Sequence, residues 1–417
     1  MRATRLLALL SGAALAGIGS GCDRPSPAPD HGSPAESPAA ERAGALAGAD
    51  ASGEALAAAL GEGDAYARAR RLAELLPSLG SEAIPAVKQR LDRSRSGLAG
   101  ADFELLVHFW ASRDPRAAAT WAFDLIAQRY RIPAIHTAVG RWAEVDPGAA
   151  LAGVTAASRK ADVHTAEAAA LALVRGWFRS DRAGLEQYLL GLGSSVDRER
   201  GLFVYTLELE QAEGSEALMR WAEAIPLDDE TYKRSAYFHA ASALAALDPP
   251  AALRWCDRHC EGPYGVGMRQ VIVMTRLNSG DDGGTVVDWV SRAPETESND
   301  QTLVAAYGVW ALREREAALG WLQQRLGAGT EPWVRKLFAP YARALAATSP
   351  AEAIGWAERV PIEAEREALL VEIARRWRGK DAAAAEAWLL RSPLSAEARE
   401  RARKSDPSDW LPSASAR

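Results

Sequence analysis

Apolar and polar positions recur along this chain with a period near 34 residues. The stretches FWASRDPRAAATWAFDL, RWAEVDPGAALAGV, LAALDPPAALRWCDRH, LAATSPAEAIGWAERVP and RWRGKDAAAAEAWLLRSP follow one plan: a helix end, a polar residue often followed by Pro, a pair of small residues, then an aromatic. Taking the polar residue as a marker gives Asp114, Asp146, Asp181, Gly214, Asp248, Asp282, Glu314, Ser349 and Asp381, spaced 32, 35, 33, 34, 34, 32, 35 and 32 residues apart. Seven residues after the markers stand Trp121, Gly153, Tyr188, Trp221, Trp255, Trp289, Trp321, Trp356 and Trp388. A second Trp often falls four residues before the marker, at Trp110, Trp142, Trp177, Trp310 and Trp377. Self-similarity at a fixed period is the signature of a repeat architecture.

One unit can be built from elementary rules. Asp or Ser at the marker accepts bonds from the free amides of a helix start, so Asp114, Asp146, Asp181, Asp248, Asp282, Ser349 and Asp381 are predicted helix caps. Pro115, Pro147, Pro249 and Pro350 suit the first helical position, where a missing N–H costs nothing. The helix then runs about eleven residues to a breaker such as Pro226, Pro294, Pro361 or Pro393. Small or apolar residues four and five positions on, with the aromatic at seven, make an apolar stripe; in the eighth unit they are Ala353, Ile354 and Trp356, with Val360 a turn later. A helix of about twelve residues is predicted before each marker. A hairpin of this kind cannot bury its own apolar face, so units must stack. The expected fold is all-α, an α/α solenoid of about nine two-helix repeats. Placed opposite small residues, Trp121, Trp221, Trp255, Trp289, Trp321, Trp356 and Trp388 read as a structural ladder rather than a sugar-stacking surface.

The period and the pattern D-x-x-x-A-(apolar)-x-W resemble the tetratricopeptide class of repeats over about residues 95 to 393. The resemblance falls on Ala118, Ala252, Ala318, Ala353 and Ala385 as the small packing position and on the Trp ladder as the large one. The family's first-helix Leu-Gly pair is not regular here, and HEAT-type packing or a divergent bacterial repeat class are the alternatives. The resemblance implies a right-handed superhelix, a concave surface for peptides or proteins, and no enzymatic activity.

The ends of the chain carry different signals. Two arginines in Met1–Arg5, the apolar run Leu6–Ile18 and the small residues Gly19, Ser20 and Gly21 precede Cys22. This is a signal peptide over residues 1–21, its apolar run too short to span a membrane comfortably. Cys22 resembles the acylated Cys of a bacterial lipobox, with Gly19 where Leu is usual. Residues 22–52, rich in Pro, Ala, Ser, Gly and Glu and without aromatics, are predicted to be a disordered spacer. Capping helices are expected over 53–94, with Ser81 in marker phase, and over 394–404. The repeats fill 95–393, and 405–417 is a disordered tail. Asp23 beside the lipidated Cys favours inner-membrane retention in enteric bacteria but not by the rules of other lineages, so either membrane of the envelope fits.

Composition sharpens this picture. Fourteen Trp against seven Phe, with 48% hydrophobic residues, exclude wholesale disorder. A net charge of −6 without a Lys/Arg block excludes a nucleic-acid footprint. There is no G-x-S-x-G, H-E-x-x-H, Walker or Rossmann motif, and His31, His108, His136, His164, His239 and His259 lack metal-ligand spacing. His108 reads as a packed or capping residue, and the Gly-rich stretch at Glu261–Gln270 as a loop. Cys256 and Cys260 point to a disulfide in an oxidising compartment, with free thiols or a Cys256–His259–Cys260 metal site as alternatives. No cofactor and no metal are expected. The function expected is a non-catalytic, lipid-anchored envelope scaffold for a protein or peptide partner, held to the membrane by its lipid. The alternative is an α/α-toroid-type enzyme acting on envelope polysaccharide.

Overall fold

A computed structural model describes residues 51–93, 98, 100–125, 128–226, 230–328 and 332–404. Cys22, the predicted signal peptide, most of the predicted spacer and the residues after 404 lie outside them. Among the described residues every regular element is helical and none is a strand. No helix among them is long and apolar enough to cross a membrane. The chain divides into two compact bodies, Met1–Ala212 and Glu213–Arg417.

Within each body long and short helices alternate. Gln128–Val145, Val163–Ser180, Val196–Glu213, Glu230–Leu247 and Glu363–Lys380 each have 18 residues, and Glu297–Arg313 has 17. While Met268–Ser279 has twelve and Phe338–Leu345 eight, at these six markers the preceding helix is thus longer than the twelve residues expected. Its start explains why: a cation in its first turn closes the preceding short helix, leaving little loop between them. Lys233 Nζ donates to the Glu223 and Ile225 carbonyls at 2.9 and 2.6 Å, Arg366 to Val360 at 2.7 Å, Arg399 to Ser392 at 3.2 Å, and Arg131 to Leu125. Positive charge at a helix C-terminus meets both free carbonyls and the negative end of the dipole. The N-terminal region holds a helix over 51–60, then Ala65–Leu75 and Ile84–Arg93. Ala51 and Ser52, assigned to the spacer from sequence, are therefore already helical, and Ser52 is buried. The last described helix is Ala396–Arg403.

The marker is the corner between a long helix and the next short one. Asp114, Asp146, Asp181, Asp248, Glu314, Ser349 and Asp381 share one backbone conformation, φ between −132° and −149° and ψ between 58° and 91°. Each of these markers donates its N–H to the carbonyl four residues back, at 2.8–2.9 Å; at five of them that carbonyl belongs to the second Trp. Two corners differ. Gly214 has φ 81°, open to glycine at no steric cost. Before Asp282 the helix Met268–Ser279 closes two residues early, on Gly280, φ 93°.

Six of the seven predicted caps bond through their side chains. Asp114, Asp146, Asp181, Asp248, Asp282 and Asp381 accept from the amide three residues on, at 2.8–3.1 Å. Ser349 does not. Asp114 and Asp248 cap from nearly the same φ and ψ, so from this corner the longer carboxylate reaches the amide and the hydroxyl does not. Ser395, with ψ 159°, does cap, accepting from Ala398 N at 3.1 Å.

Burial follows the marker more strictly than the aromatics do. Position +4 (Ala118, Ala150, Leu185, Leu218, Ala252, Val286, Ala318, Ala353, Ala385) and position +8 (Ala122, Val154, Leu189, Ala222, Cys256, Val290, Leu322, Ala357, Leu389) are everywhere at most 5% exposed. These two positions lie one turn apart on one helix face. The last residues of four helices that precede a marker bond about one period back: Arg113 to the Leu79 carbonyl at 3.1 Å, Ser180 to Ala143 at 3.2 Å, Arg313 to Leu277 and Lys380 to Ala347. Where backbones come closest, a Cβ on Gly176 would stand 2.1 Å from the Gly140 carbonyl oxygen.

Candidate functional site

The ladder residues are where site and core meet. Only Trp255 is wholly buried; Trp121, Trp221, Trp289, Trp321, Trp356 and Trp388 are half-buried flanks of the core. The +4 and +8 positions occupy the space facing the neighbouring helices, so the aromatic at +7 is turned to the edge and packs on aromatics of its own long helix. Ring centroids lie 5.3 Å apart for Trp110–Trp121, 5.1 Å for Trp177–Tyr188, 5.6 Å for Trp310–Trp321 and 5.0 Å for Tyr341–Trp356. Gly153, the unit without an aromatic, is filled from the other side: a Cβ there would meet the Trp142 ring at 2.2 Å. Three outer faces are covered by guanidinium groups, Arg269 over Trp289 at 5.1 Å, Arg325 over Trp321 at 4.5 Å and Arg359 over Trp356 at 4.2 Å.

The densest gathering of polar chemistry surrounds Trp255 on the short helix Pro249–His259. One oxygen of Glu223 accepts from Trp255 Nε1 at 2.9 Å and lies 3.0 Å from His259 Nε2. Glu223 is held on the preceding short helix, Ser215–Ala224. Tyr237, from the long helix Glu230–Leu247, packs against Trp255 at 4.9 Å, His259 at 5.6 Å and Tyr264 at 5.7 Å. Burial pushes the Tyr237 phenol above its ordinary range, with the negative charge of Glu223 and then Tyr264 adding to it. The Lys233 ammonium stands 5.3 Å from the Tyr264 ring while capping the short helix. The cluster thus presents a half-exposed carboxylate beside a phenol held protonated.

Cys256 and Cys260 are joined in a disulfide, with Cα atoms 4.7 Å apart. Cys256 sits at the buried +8 position, and Cys260 N donates to its carbonyl at 2.8 Å, closing the last turn. The glycine-rich stretch is a turn segment from 260 to 267 that folds back on this helix end: a Cβ on Gly265 would lie 2.2 Å from the His259 carbonyl oxygen.

Other residues singled out from sequence are not drawn together. His108 is exposed on its helix rather than packed. Asp281 pairs with Arg276 at 2.8 Å, and Asp282 caps a helix. No three His, Cys, Asp or Glu side chains among the described residues are placed to hold a metal ion. Sequence reasoning missed Glu223, Tyr237 and Tyr264 because they meet His259 only in space. Compared with family models, curated proteins and solved structures, the chain matches none.

Proposed function

We propose that the chain is a lipid-anchored cell-envelope scaffold whose stacked two-helix repeats, arranged as a tetratricopeptide-like solenoid, bind a protein or peptide partner. The observation that carries this reading is the recurrence of one corner: the same backbone conformation at seven markers, with +4 and +8 buried at all nine. Units that contact only their neighbours make surface in proportion to their number, beyond what a core requires, and such surfaces serve for recognition. The signal run, Cys22 and the spacer support a surface held on a leash at a membrane. The guanidinium groups over Trp289, Trp321 and Trp356 favour a structural ladder over an extended stacking track.

Two measurements test the reading. Cys22→Ser is expected to leave the protein unprocessed or move it to the soluble fraction; processing and membrane fractionation like wild type would remove the lipid anchor. Chemical cross-linking in intact cells, followed by saturable binding of the purified partner, tests the scaffold, and failure to find a saturable partner counts against it. The Glu223, His259 and Tyr237 cluster favours the second reading, an α/α-toroid-type enzyme on envelope polysaccharide. That reading requires polysaccharide turnover by wild type that Glu223→Gln abolishes.

A further inference from the structure

One ladder residue, Trp121, borders an open cavity. Beside Trp121, between the short helix Pro115–Asp124 and the helix Ile84–Arg93, lies an open cavity of about 500 Å³. Lys88, Trp110, Arg116, Thr120, Trp121 and Asp124 line it, with the cap Asp114 at one end. A volume of this size falls in the range of small-molecule sites, roughly 300–1,000 Å³.

Three features of the lining point to a ligand. The Trp121 ring is fixed from outside the cavity, its indole N–H donating to Asp92 Oδ1 at 2.8 Å, and among the described residues no guanidinium covers it as one covers Trp289, Trp321 and Trp356. Trp110, 3% exposed, has an indole N–H without a partner. Its counterparts Trp177 and Trp310 donate to their own markers, Asp181 and Glu314, at 3.5 and 3.4 Å. A buried donor left unmade is costly, so its persistence beside a cavity fits an acceptor brought in by a ligand. Third, Lys88, Arg116 and Asp124 have no ion-pair partner among the described residues, in a chain where surface Arg and Glu pair along neighbouring helices.

We propose that this cavity binds an uncharged sugar ring of a glycan. Lys88 and Arg116 balance Asp114 and Asp124, so the lining favours neither an anion nor a cation. Charged side chains without partners are strong donors and acceptors for hydroxyl groups. The Trp121 indole on the cavity wall supplies an apolar platform for the C–H face of the ring, whereas a peptide backbone would leave much of that mixed charge unanswered.

Saturation-transfer NMR and calorimetry on the full chain test this, with glucose, N-acetylglucosamine and their linear trimers as probes. At least one is expected to bind with Kd of about 1 mM or tighter. Trp121→Leu, checked by melting to be folded, is expected to weaken it at least about tenfold, and Trp321→Leu, at a ring already covered by Arg325, to leave it unchanged. Should Trp121→Leu fail to fold, the exposed pair Arg116→Met and Asp124→Asn is expected to give the same loss. Absence of binding by every saccharide, equal binding by these variants, or occupation of the cavity by inorganic phosphate or free glycine instead would overturn the assignment.

Discussion

The corners at Asp114 and Asp248 share backbone, cap and Trp, yet the two Trp residues live differently. Trp255 is wholly buried, roofed by Tyr237, with Glu223 on its N–H and a disulfide one residue further on. Trp121 is half-buried beside an open cavity, with a partnerless Trp110 N–H behind it. The difference lies in what the long helix and the following loop bring to the ring. Both corners have rings at these places, but Tyr237 lies 4.9 Å from Trp255 with Tyr264 behind it, whereas Phe103 stands 6.2 Å from Trp121 with Tyr130 behind it. A repeat therefore fixes where an aromatic sits, while the neighbourhood decides whether it is core, trim or surface.

The largest effect should come from the buried ring. Trp255→Ala removes a fully packed side chain and should cost about 3–5 kcal/mol. Trp121→Ala, already half exposed, should cost about 1–2 kcal/mol. Urea unfolding of both variants checks the contrast, and equal losses would break it. Next comes the disulfide, which exists only at the fifth corner. Cys256→Ala with Cys260→Ala opens a very short loop, so chain entropy predicts a loss of about 2 kcal/mol. A melting curve unchanged by reduction would mean that the last turn needs no staple.

Caps sharpen the comparison at a smaller scale. Asp114→Ala and Asp248→Ala should each cost about 1 kcal/mol, because both carboxylates hold an amide in the same way. Ser349→Ala should change stability by less than about 0.5 kcal/mol, since its hydroxyl holds none. The smallest effect is with pH. Burial, then Arg175, holds His136 below the ordinary imidazole range. The unfolded chain takes up this proton more readily than the folded one. Stability is thus full above about pH 6.5 and declines as pH falls through that value toward the folded one. His136→Gln should flatten the fall of Tm between about pH 7 and pH 5.

Much of the fold was legible because the corner chemistry is local. Asp-Pro at 114–115, 146–147 and 248–249 states a cap and a first helical position in two letters, and both are found. The Trp ladder was legible as a period, and apart from Trp255 its rings flank the core rather than fill it. The quieter apolar letter at +8 carries that role, and its variety (Ala, Val, Leu, Cys) hides it beside a row of Trp. Ser349 was misjudged because whether a short hydroxyl can cap depends on the corner's ψ: Ser395 caps at 159°, Ser349 does not at 71°, where Asp248 does at 75°. The Glu223–Trp255–His259–Tyr237 cluster joins three helices, and the Trp121 cavity is defined by partners that are missing. Neither leaves a motif in one stretch of sequence.

The central claim, that burial at +4 and +8 defines every unit, can be tested within single short helices. Ala150 and Ala152 share Pro147–Ser158, and Ala385 and Ala387 share Ala382–Leu389; the first of each pair is buried and the second exposed. Unfolding free energies of the four alanine-to-leucine variants are the direct measurement. Ala150→Leu and Ala385→Leu should each lose about 1–3 kcal/mol to overpacking, and Ala152→Leu and Ala387→Leu should stay within about 0.5 kcal/mol of wild type. Equal losses at both positions of a pair, or tolerance of leucine at Ala150 and Ala385, would contradict the account.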